Sequence, residues 1–159
     1  MAKPFQKLSK RFFQEIELMT QVGKKPLKTI GRHVMIDLPE LGYTGIDAKI
    51  DTGAFRTVIH CESAKVIKDA SGEEILEAVF DLDGNGPHVY RFEDFFRKDF
   101  KSSFGESESR FCIHTTICIG HKKIHSSVSL TDRSGMKFPV LIGRKTLLRK
   151  FLVDVSRKY

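Results

Sequence analysis

The segment Ile46-Asp47-Ala48-Lys49-Ile50-Asp51-Thr52-Gly53-Ala54 decides the fold of this chain. Its first five residues alternate between apolar and polar, which is the pattern of a strand with one face on a core. A tight turn then begins at Asp51, because Gly53 tolerates backbone conformations that other residues avoid. The segment therefore predicts a carboxylate whose backbone is held in place at the end of a strand.

A second segment supports a catalytic role for Asp51. Val140-Leu141-Ile142-Gly143-Arg144 is an apolar strand that ends in Gly-Arg and is able to pack behind the turn. An isolated Asp-Thr-Gly occurs in many unrelated proteins, whereas the combination of the two segments is more specific. Most acidic side chains are solvated surface charges, and we therefore favour Asp51 over the other candidates. Those candidates are Asp37, Asp47, Asp81, Asp132 and Asp154.

Length, composition and charge place the chain in a broad class. It has 159 residues, of which 40% are apolar, and this is enough for one domain with its own core. The formal net charge is +7, but Lys and Arg are spread along the chain and no aromatic-basic RNA-binding signature is present. No stretch has the roughly 18 apolar residues of a membrane span, and residues 1–20 lack the apolar core of a secretory signal. We expect a soluble, cytoplasmic protein with no membrane span and no nucleic-acid partner.

The first 28 residues form a separate extension ahead of a domain over residues 29–159. Apolar residues recur in it at helical spacing with basic residues between them, which predicts a basic amphipathic helix. The apolar positions are Phe5, Leu8, Phe12, Ile16 and Met19. A helix that packs on its own domain or on a dimer partner is the favoured interpretation, and docking to a membrane surface or another partner is the alternative.

Residues 29–159 have the pattern of a mainly β domain. Three strands are predicted before and after the Asp51 turn, at residues 34–36, 46–51 and 57–59. A longer strand over residues 110–120 alternates strictly, and Gly120-His121-Lys122-Lys123 closes a hairpin into residues 124–130. Residues 73–82 fit either a helix or a strand.

Two metal-binding patterns are present only in part. Residues 81–86 resemble the opening of a calcium loop, but Phe92 stands where a bidentate Glu is needed, so a tight turn is the better interpretation. Cys112, His114 and Cys118, together with His121 and His125, raise a zinc site, but the ligand spacing does not match structural zinc sites. We expect no metal, and we expect Cys61, Cys112 and Cys118 to be reduced thiols in a core.

A Phe-rich segment precedes the long strand. Its aromatic residues are Phe92, Phe95, Phe96, Phe100 and Phe104, and they run into a Ser- and Gly-rich stretch over residues 102–107. This composition predicts a flexible segment with apolar anchors. A lid over a peptide cleft and an ordinary surface loop both fit it.

The segments around Asp51 and Gly143 resemble the two signature segments of retropepsins, the single-domain homodimeric aspartic proteases. Other segments resemble a small retropepsin-like bacterial family commonly labelled putative ATP-dependent zinc proteases. They are Ile30-Gly31-Arg32, Leu38-Pro39-Glu40-Leu41-Gly42, His60, Thr115-Thr116, Met136-Lys137-Phe138-Pro139 and Phe151-Leu152-Val153-Asp154. The resemblance implies a closed β-barrel, equivalent to half of an acid protease, with a short C-terminal helix. The chain lacks a phosphate-binding Gly-rich loop and a zincin helix, so we expect no ATP, zinc or other cofactor.

The resemblance also implies a role for each site residue. Asp51 would be the catalytic carboxylate, one per subunit of a homodimer, and Thr52 would hydrogen-bond across the dimer. Gly53 would lie close to the substrate backbone, and Thr57 falls where the family carries Ser or Thr. The remaining active-site support would come from Ala54, Ile142, Gly143 and Arg144. Within residues 102–110, Ser103, Phe104 and Gly105 would form the flap, and residues 151–155 would supply an interface strand.

One position departs from the pattern. Family members carry an acid or an Arg directly after the Asp-Thr-Gly-Ala turn, whereas this chain has Phe55. The expectation is therefore that Arg144 lacks its usual partner, which concerns substrate selectivity more than the catalytic turn.

The implied function is an aspartic endopeptidase in which two Asp51 carboxylates hold a water that attacks a peptide carbonyl. Like charges about 3 Å apart do not both ionise easily, so one carboxyl stays protonated and activity is expected at acidic to mildly acidic pH. Two alternatives stay open: a non-catalytic module that binds a peptide or protein on the same fold, and a zinc-dependent peptidase.

Overall fold

The chain forms a mainly β domain in a computed structural model that describes residues 26–101, 105 and 107–159. A short 3-10 turn, Pro39–Leu41, and one helix of four residues, α1 (Arg144–Leu147), interrupt the strands of this part of the chain. The strands are β1 Lys28–Ile30, β2 His33–Leu38, β3 Tyr43–Ile50, β4 Thr57–His60, β5 Ser63–Lys68, β6 Glu74–Phe80, β7 His88–Phe92, β8 Phe95–Lys101, β9 Ser107–Ile119, β10 Lys122–Thr131, β11 Val140–Ile142 and β12 Phe151–Val153. The expected mainly β fold with a short helix near the C-terminus is confirmed.

Six strands close a barrel in the order β10, β4, β11, β3, β2 and β9, because β9 pairs back onto β10. The strand β8 lies outside this ring as the antiparallel partner of the first half of β9. Two smaller sheets complete the domain: β5, β6 and β7 pair antiparallel, and β1 pairs parallel with β12. In a sheet closed in this way each strand of the ring has a hydrogen-bonded neighbour on both of its sides, and the ring encloses a packed interior.

The predicted alternation determines which side chains fill the barrel. Ile46, Ala48 and Ile50 of β3 are buried, whereas Lys49 between them is exposed. The long strand β9 likewise buries its odd-numbered residues from Ile113 to Ile119. The core therefore reaches the end of β3, where the chain turns at Asp51.

Residues 73–82, which fit a helix or a strand, contain the strand β6. Leu76, Ala78 and Phe80 of β6 belong to the same buried core as the barrel, so the second sheet packs against it. The Tyr43 hydroxyl donates to the carbonyl of Phe80 at 2.9 Å and ties the two sheets together. The following Asp-Gly-Asn segment is a turn, as expected, in which Asp81 Oδ1 accepts the N–H of Gly84 at 2.8 Å.

The Phe-rich segment is more regular than predicted. Phe95 and Phe100 lie on β8, and every residue of this strand pairs with β9, so this part is not an irregular flexible segment. Cation–aromatic contacts across the pair add to this pairing, with the Arg97 guanidinium 4.3 Å from the ring centroid of Phe111 and that of Arg110 5.2 Å from the ring centroid of Phe100. Together β8 and β9 form a hairpin that extends beyond the barrel.

Glu40 joins two segments that carried the family resemblance. Its carboxylate accepts hydrogen bonds from the hydroxyls of Thr115 and Thr116, both at 2.6 Å, and from the N–H of Thr116. Burial raises the pKa of Glu40, but these hydrogen bonds outweigh it and hold the pKa below 4.5. Because the unfolded chain binds this proton more readily, the stabilisation is present above about pH 4.5 and is lost as the pH falls through the lowered pKa.

The remaining general expectations concern the N-terminus and the thiols. The predicted amphipathic helix, whose apolar positions run from Phe5 to Met19, lies outside the described residues. Among the residues that are described, no helix has the length and apolar character to cross a membrane. Cys61 and Cys112 are buried and Cys118 is half-buried, all as free thiols, and burial raises the pKa of Cys61 to about 11. The Cys61 thiol is therefore protonated at neutral pH.

Candidate active site

Asp51 occupies the first position of a tight turn directly after β3, and its side chain is half-buried. Its Oδ1 accepts the N–H groups of Gly53 at 3.0 Å and Ala54 at 3.2 Å. Its own N–H donates to the carbonyl of Ile142 at 2.9 Å. Oδ2 accepts no hydrogen bond from the described part of the chain. The turn thus fixes one carboxylate oxygen and leaves the other available to a water, a substrate or a partner.

The segment over residues 140–145 lies directly behind this turn. Ile142 of β11 is the parallel partner of Ile50, so the two strands end together. The N–H of Arg144 then donates to the carbonyl of Ala54, and that of Lys145 to the carbonyl of Phe55, both at 2.9 Å. The structure therefore brings together the two segments that the sequence singled out.

Gly143 permits this close approach. A Cβ atom at this position would lie 2.4 Å from both the carbonyl carbon and the carbonyl oxygen of Arg56, and 2.9 Å from the carbonyl oxygen of Phe55. These are backbone atoms, which cannot rotate away as a flexible side chain does. The position accepts glycine because no side chain has room to begin there.

Arg144 has partners that residue types alone did not reveal. Its Nη1 donates to the carbonyl of Thr52 at 2.8 Å and to the carbonyl of Gly53 at 2.9 Å. The side chain of Phe55 is 55% exposed and leaves this contact undisturbed. With Phe55 in the place of its usual partner, the Arg144 guanidinium instead binds backbone carbonyls of the turn.

Thr57 connects the turn to the segment behind it. Its hydroxyl oxygen accepts the N–H of Gly143 at 3.1 Å and lies 2.7 Å from the hydroxyl oxygen of Thr146. Both threonines are fully buried. A buried N–H without an acceptor destabilises a folded chain, so this hydroxyl stabilises the base of the site.

We expect Thr57→Val to lower the free energy of unfolding by about 2 kcal/mol, because it leaves the Gly143 N–H and the Thr146 hydroxyl buried without their partner. Thr57→Ser is the matched control, since it keeps the hydroxyl and removes only a methyl group. Urea unfolding followed by circular dichroism measures both variants. Equal stability of the two variants would show that the hydroxyl has no such role.

A cavity of about 490 Å³ lies between the turn and the β8–β9 hairpin. Residues 53–56 form one wall, and residues of β8 and β9 form the other. Four of its lining residues are basic and two are acidic: Arg56, Lys98, Lys101, Arg110, Asp99 and Glu108. Arg110 Nη2 forms an ion pair with Glu108 Oε2 at 2.6 Å. The lining residues outside this ion pair are three cations and one carboxylate. Sequence reasoning did not select these cations, although Lys98, Lys101 and Arg110 lie among the Phe residues of the hairpin.

A second cavity, of about 630 Å³, includes Asp51 itself in its lining. Three basic residues share this lining: Lys49, Arg133 and Lys137. Apolar side chains complete it, among them Met136 and Phe138. The Asp51 turn is thus reached from two cavities, and both are rich in positive charge.

The other predicted positions lie away from this turn or outside the described residues. Gly105 is in the connection between β8 and β9, while Ser103 and Phe104 are not described. His114 Nδ1 lies 3.0 Å from Asp94 Oδ2, and the His114 ring stacks on the His125 ring with 6.0 Å between the two ring centroids. In the described ranges, no three His, Cys, Asp or Glu side chains are placed to hold a metal ion together.

Comparison with known proteins gives a family and a fold. A family model described as RimB-like, retropepsin-like aspartic endopeptidase RimB, matches residues 29–159. A relative from Shewanella pealeana named probable alpha-L-glutamate ligase is 30% identical over 132 residues, which cover 82% of this chain and 29% of the relative. One of the same name from Desulfotalea psychrophila is 29% identical over 129 residues, covering 80% of this chain and 28% of the relative. The chain therefore spans less than a third of these relatives.

A solved structure shares the fold. The crystal structure of Lpg0085, a protein of unknown function from Legionella pneumophila, aligns with a TM-score of 0.62 and 21% sequence identity. The alignment covers 83% of this chain and 96% of that one. At this level of identity the likeness shows the fold alone.

Proposed function

This chain belongs to the RimB-like family of retropepsin-like aspartic endopeptidases, and we propose that it is itself an aspartic endopeptidase that acts as a homodimer. The observation that carries the proposal is the Asp51 turn, where backbone N–H groups hold Oδ1 and Oδ2 stays free of hydrogen bonds from the described residues. Each chain contributes one such carboxylate. Hydrolysis by this route needs two carboxyl groups that share a proton, so the second one comes from the partner subunit.

In the proposed reaction the two Asp51 side chains have different tasks. The ionised carboxylate removes a proton from a water held between the pair, and that water attacks the peptide carbonyl. The protonated carboxyl donates its proton to the carbonyl oxygen, and a tetrahedral intermediate forms. The carboxyl that took the proton of the water then gives it to the amide nitrogen, and the C–N bond breaks. The other carboxylate regains its proton from a hydroxyl of the intermediate as the carboxylic acid product forms, which returns the pair to its starting state. Two carboxylates about 3 Å apart keep one proton between them, which favours acidic to mildly acidic conditions.

Exposed apolar side chains near the C-terminus support a homodimer. Leu152 on β12 is 55% exposed, and Val155 is 73% exposed. On the described chain β12 pairs only with β1, so the strand is available to extend a sheet between subunits. Thr52, at the tip of the turn, is exposed and free to meet its counterpart across the two-fold axis.

The charge of the cavity under the hairpin favours an acidic peptide. Lys98, Lys101 and Arg56 outnumber Asp99 once Arg110 and Glu108 are paired. Complementary charge speeds encounter and selects against cationic peptides. The relatives named as glutamate ligases share this domain, and their name supports a substrate that carries glutamate.

A non-catalytic binding module is the second candidate, and one observation favours it. The matched region makes up only 29% of a relative named for ligase activity. A domain with this fold is therefore compatible with binding a peptide on behalf of another activity.

The test uses the full chain and two peptide sets of equal length, one rich in Glu and one rich in Lys. We expect cleavage of the acidic set with a kcat/KM about tenfold higher, or about 1.4 kcal/mol of discrimination. A statine-type transition-state mimic should inhibit, a chelator should not, and activity per chain should rise with protein concentration as dimers form. Binding of the acidic set without cleavage would support the binding module. Loss of cleavage on chelation would support a zinc peptidase.

A further inference from the structure

Two cationic side chains converge on one buried hydroxyl. Arg56 Nη1 and Lys145 Nζ both donate to Ser127 Oγ, the lysine at 2.8 Å. Ser127 is only 2% exposed. Because both nitrogens contact the same oxygen, the two positive charges lie close together and repel each other. The neutral hydroxyl accepts both hydrogen bonds but does not compensate the charge.

No acidic group of the described residues neutralises this pair. The ion pairs found there join other side chains, and none brings a carboxylate oxygen within 4.0 Å of Arg56 or Lys145. Arg56 Nε is also buried and has no hydrogen-bond partner in the described part of the chain. Buried donors are normally satisfied, because an unpaired donor destabilises a folded chain. The pair therefore has an excess of positive charge and too few acceptors, and an anion supplies both deficits.

Arg56 connects the pair to the cavity between the Asp51 turn and the β8–β9 hairpin. It is half-buried and lines that cavity together with residues 53–55 of the turn. Its guanidinium carbon lies 5.6 Å from the ring centroid of Phe96 on β8, and this contact helps to hold the side chain in place. Lys145 is exposed. An anion in this cavity therefore reaches the guanidinium close to the residues that carry the turn.

We infer that Arg56 and Lys145 form a subsite that binds one side-chain carboxylate of the substrate. This inference rests on the proposed function, and it assigns the preference for acidic peptides to defined peptide positions instead of to overall charge. Arg56 Nη2 donates to no acceptor among the residues described, so it is available to the carboxylate together with Lys145 Nζ. Hydrogen bonds between such ionised groups are stronger than neutral ones. The bound carboxylate also removes the repulsion between the two cations.

The other cations of the cavity have a different setting. Arg110 is paired with Glu108, and Lys98 and Lys101 share no acceptor with a second cation in the described ranges. A single lysine on the wall contributes to the general field of the cavity, which acts on every charge of a bound peptide. Lys98 is therefore the matched control for loss of one positive charge from the same cavity.

The test uses acidic peptides with an amidated C-terminus, in which one glutamate at a time is replaced by glutamine. Binding is measured on the full-length Asp51→Asn chain, and cleavage is measured on the chain with Asp51 intact. The dimer has two copies of the subsite, so we expect two sensitive positions, one on each side of the cleaved bond. At these positions the replacement should weaken binding and lower kcat/KM about tenfold, because a charge-assisted contact is lost.

The protein variants identify the residues that cause this pattern. In Arg56→Gln and in Lys145→Gln, glutamate and glutamine at the sensitive positions should bind about equally well, because the partner of the carboxylate is gone. Lys98→Gln should weaken all acidic peptides evenly and keep the sensitive positions. If Arg56→Gln does not fold, Lys145→Gln, which changes an exposed side chain, carries the same comparison.

The outcomes separate this inference from the proposed function. An effect spread evenly over all peptide positions, or the same loss of preference in Lys98→Gln, would overturn the subsite. Position dependence that appears only in peptides with a free C-terminus would assign the pair to the terminal carboxylate and overturn the side-chain assignment. Sensitive positions in binding to a chain that cleaves no peptide would support the subsite and overturn the peptidase instead.

Discussion

Asp51→Asn is expected to abolish peptide hydrolysis while the fold and the dimer persist. Asparagine keeps a side-chain oxygen that accepts the N–H groups of Gly53 and Ala54, so the turn retains its geometry. It supplies neither a base for the water nor an acid for the carbonyl oxygen, and we expect kcat to fall by about 10³-fold or more. Cleavage assays and sedimentation measure the two properties separately.

Asp37→Asn is the matched control. Asp37 Oδ1 accepts the N–H of Gly45 at 2.8 Å, so the variant makes the same chemical change in a similar backbone setting. It should keep full activity. Wild-type activity in Asp51→Asn would contradict the proposed mechanism at once.

Mixed dimers sharpen this experiment. When equal amounts of wild type and Asp51→Asn exchange subunits at random, about a quarter of all dimers carry two aspartates. The mixture should therefore show about a quarter of the activity of wild type at the same total protein concentration. A loss of only half would mean that each subunit works alone. That result would contradict a shared active site even if Asp51 were essential.

Gly143→Ala is the second substitution for which we expect a large effect, with a loss of about 3 kcal/mol or more in the free energy of unfolding. The new methyl group would lie 2.4 Å from the backbone of Arg56. That backbone is held by Thr57 on one side and by the Phe55–Lys145 hydrogen bond on the other. Relief of the clash therefore separates the two segments of the site, and peptidase activity should fall together with stability.

Gly72→Ala separates this clash from a general effect of replacing glycine. Gly72 has a φ of +89°, and a Cβ atom added there would meet no atom within 4 Å, so its replacement costs about 1 kcal/mol through the backbone alone. Urea unfolding gives both values. Equal losses in the two variants would show that the contact at Gly143 relaxes freely.

Much of the local structure was predictable because it depends on neighbouring residues. Alternation along residues 46–50 and 110–120 predicted two strands, and their apolar faces point inward at residues 46–50 and 113–119. The reason is that the side chains of a strand point to opposite sides in turn. The Asp-Gly-Asn turn at residues 81–86 was likewise predictable. The strand β8 was not, because its regularity comes from pairing with β9, and that pairing depends on residues of another strand.

The sequence by itself determined that Asp51 stands on a tight turn at the end of a core strand and that an apolar Gly-Arg segment is present to support it. Only the tertiary structure decided which groups complete the site. Arg144 binds the carbonyl of Thr52, which lies 92 positions earlier in the sequence, and the Gly143 N–H donates to the Thr57 hydroxyl, 86 positions earlier. Arg133, which follows β10, lines the same cavity as Asp51. Such contacts follow from the order in which strands close the barrel. A local pattern of apolar and polar residues specifies a strand and its buried face, but not which distant strand lies beside it.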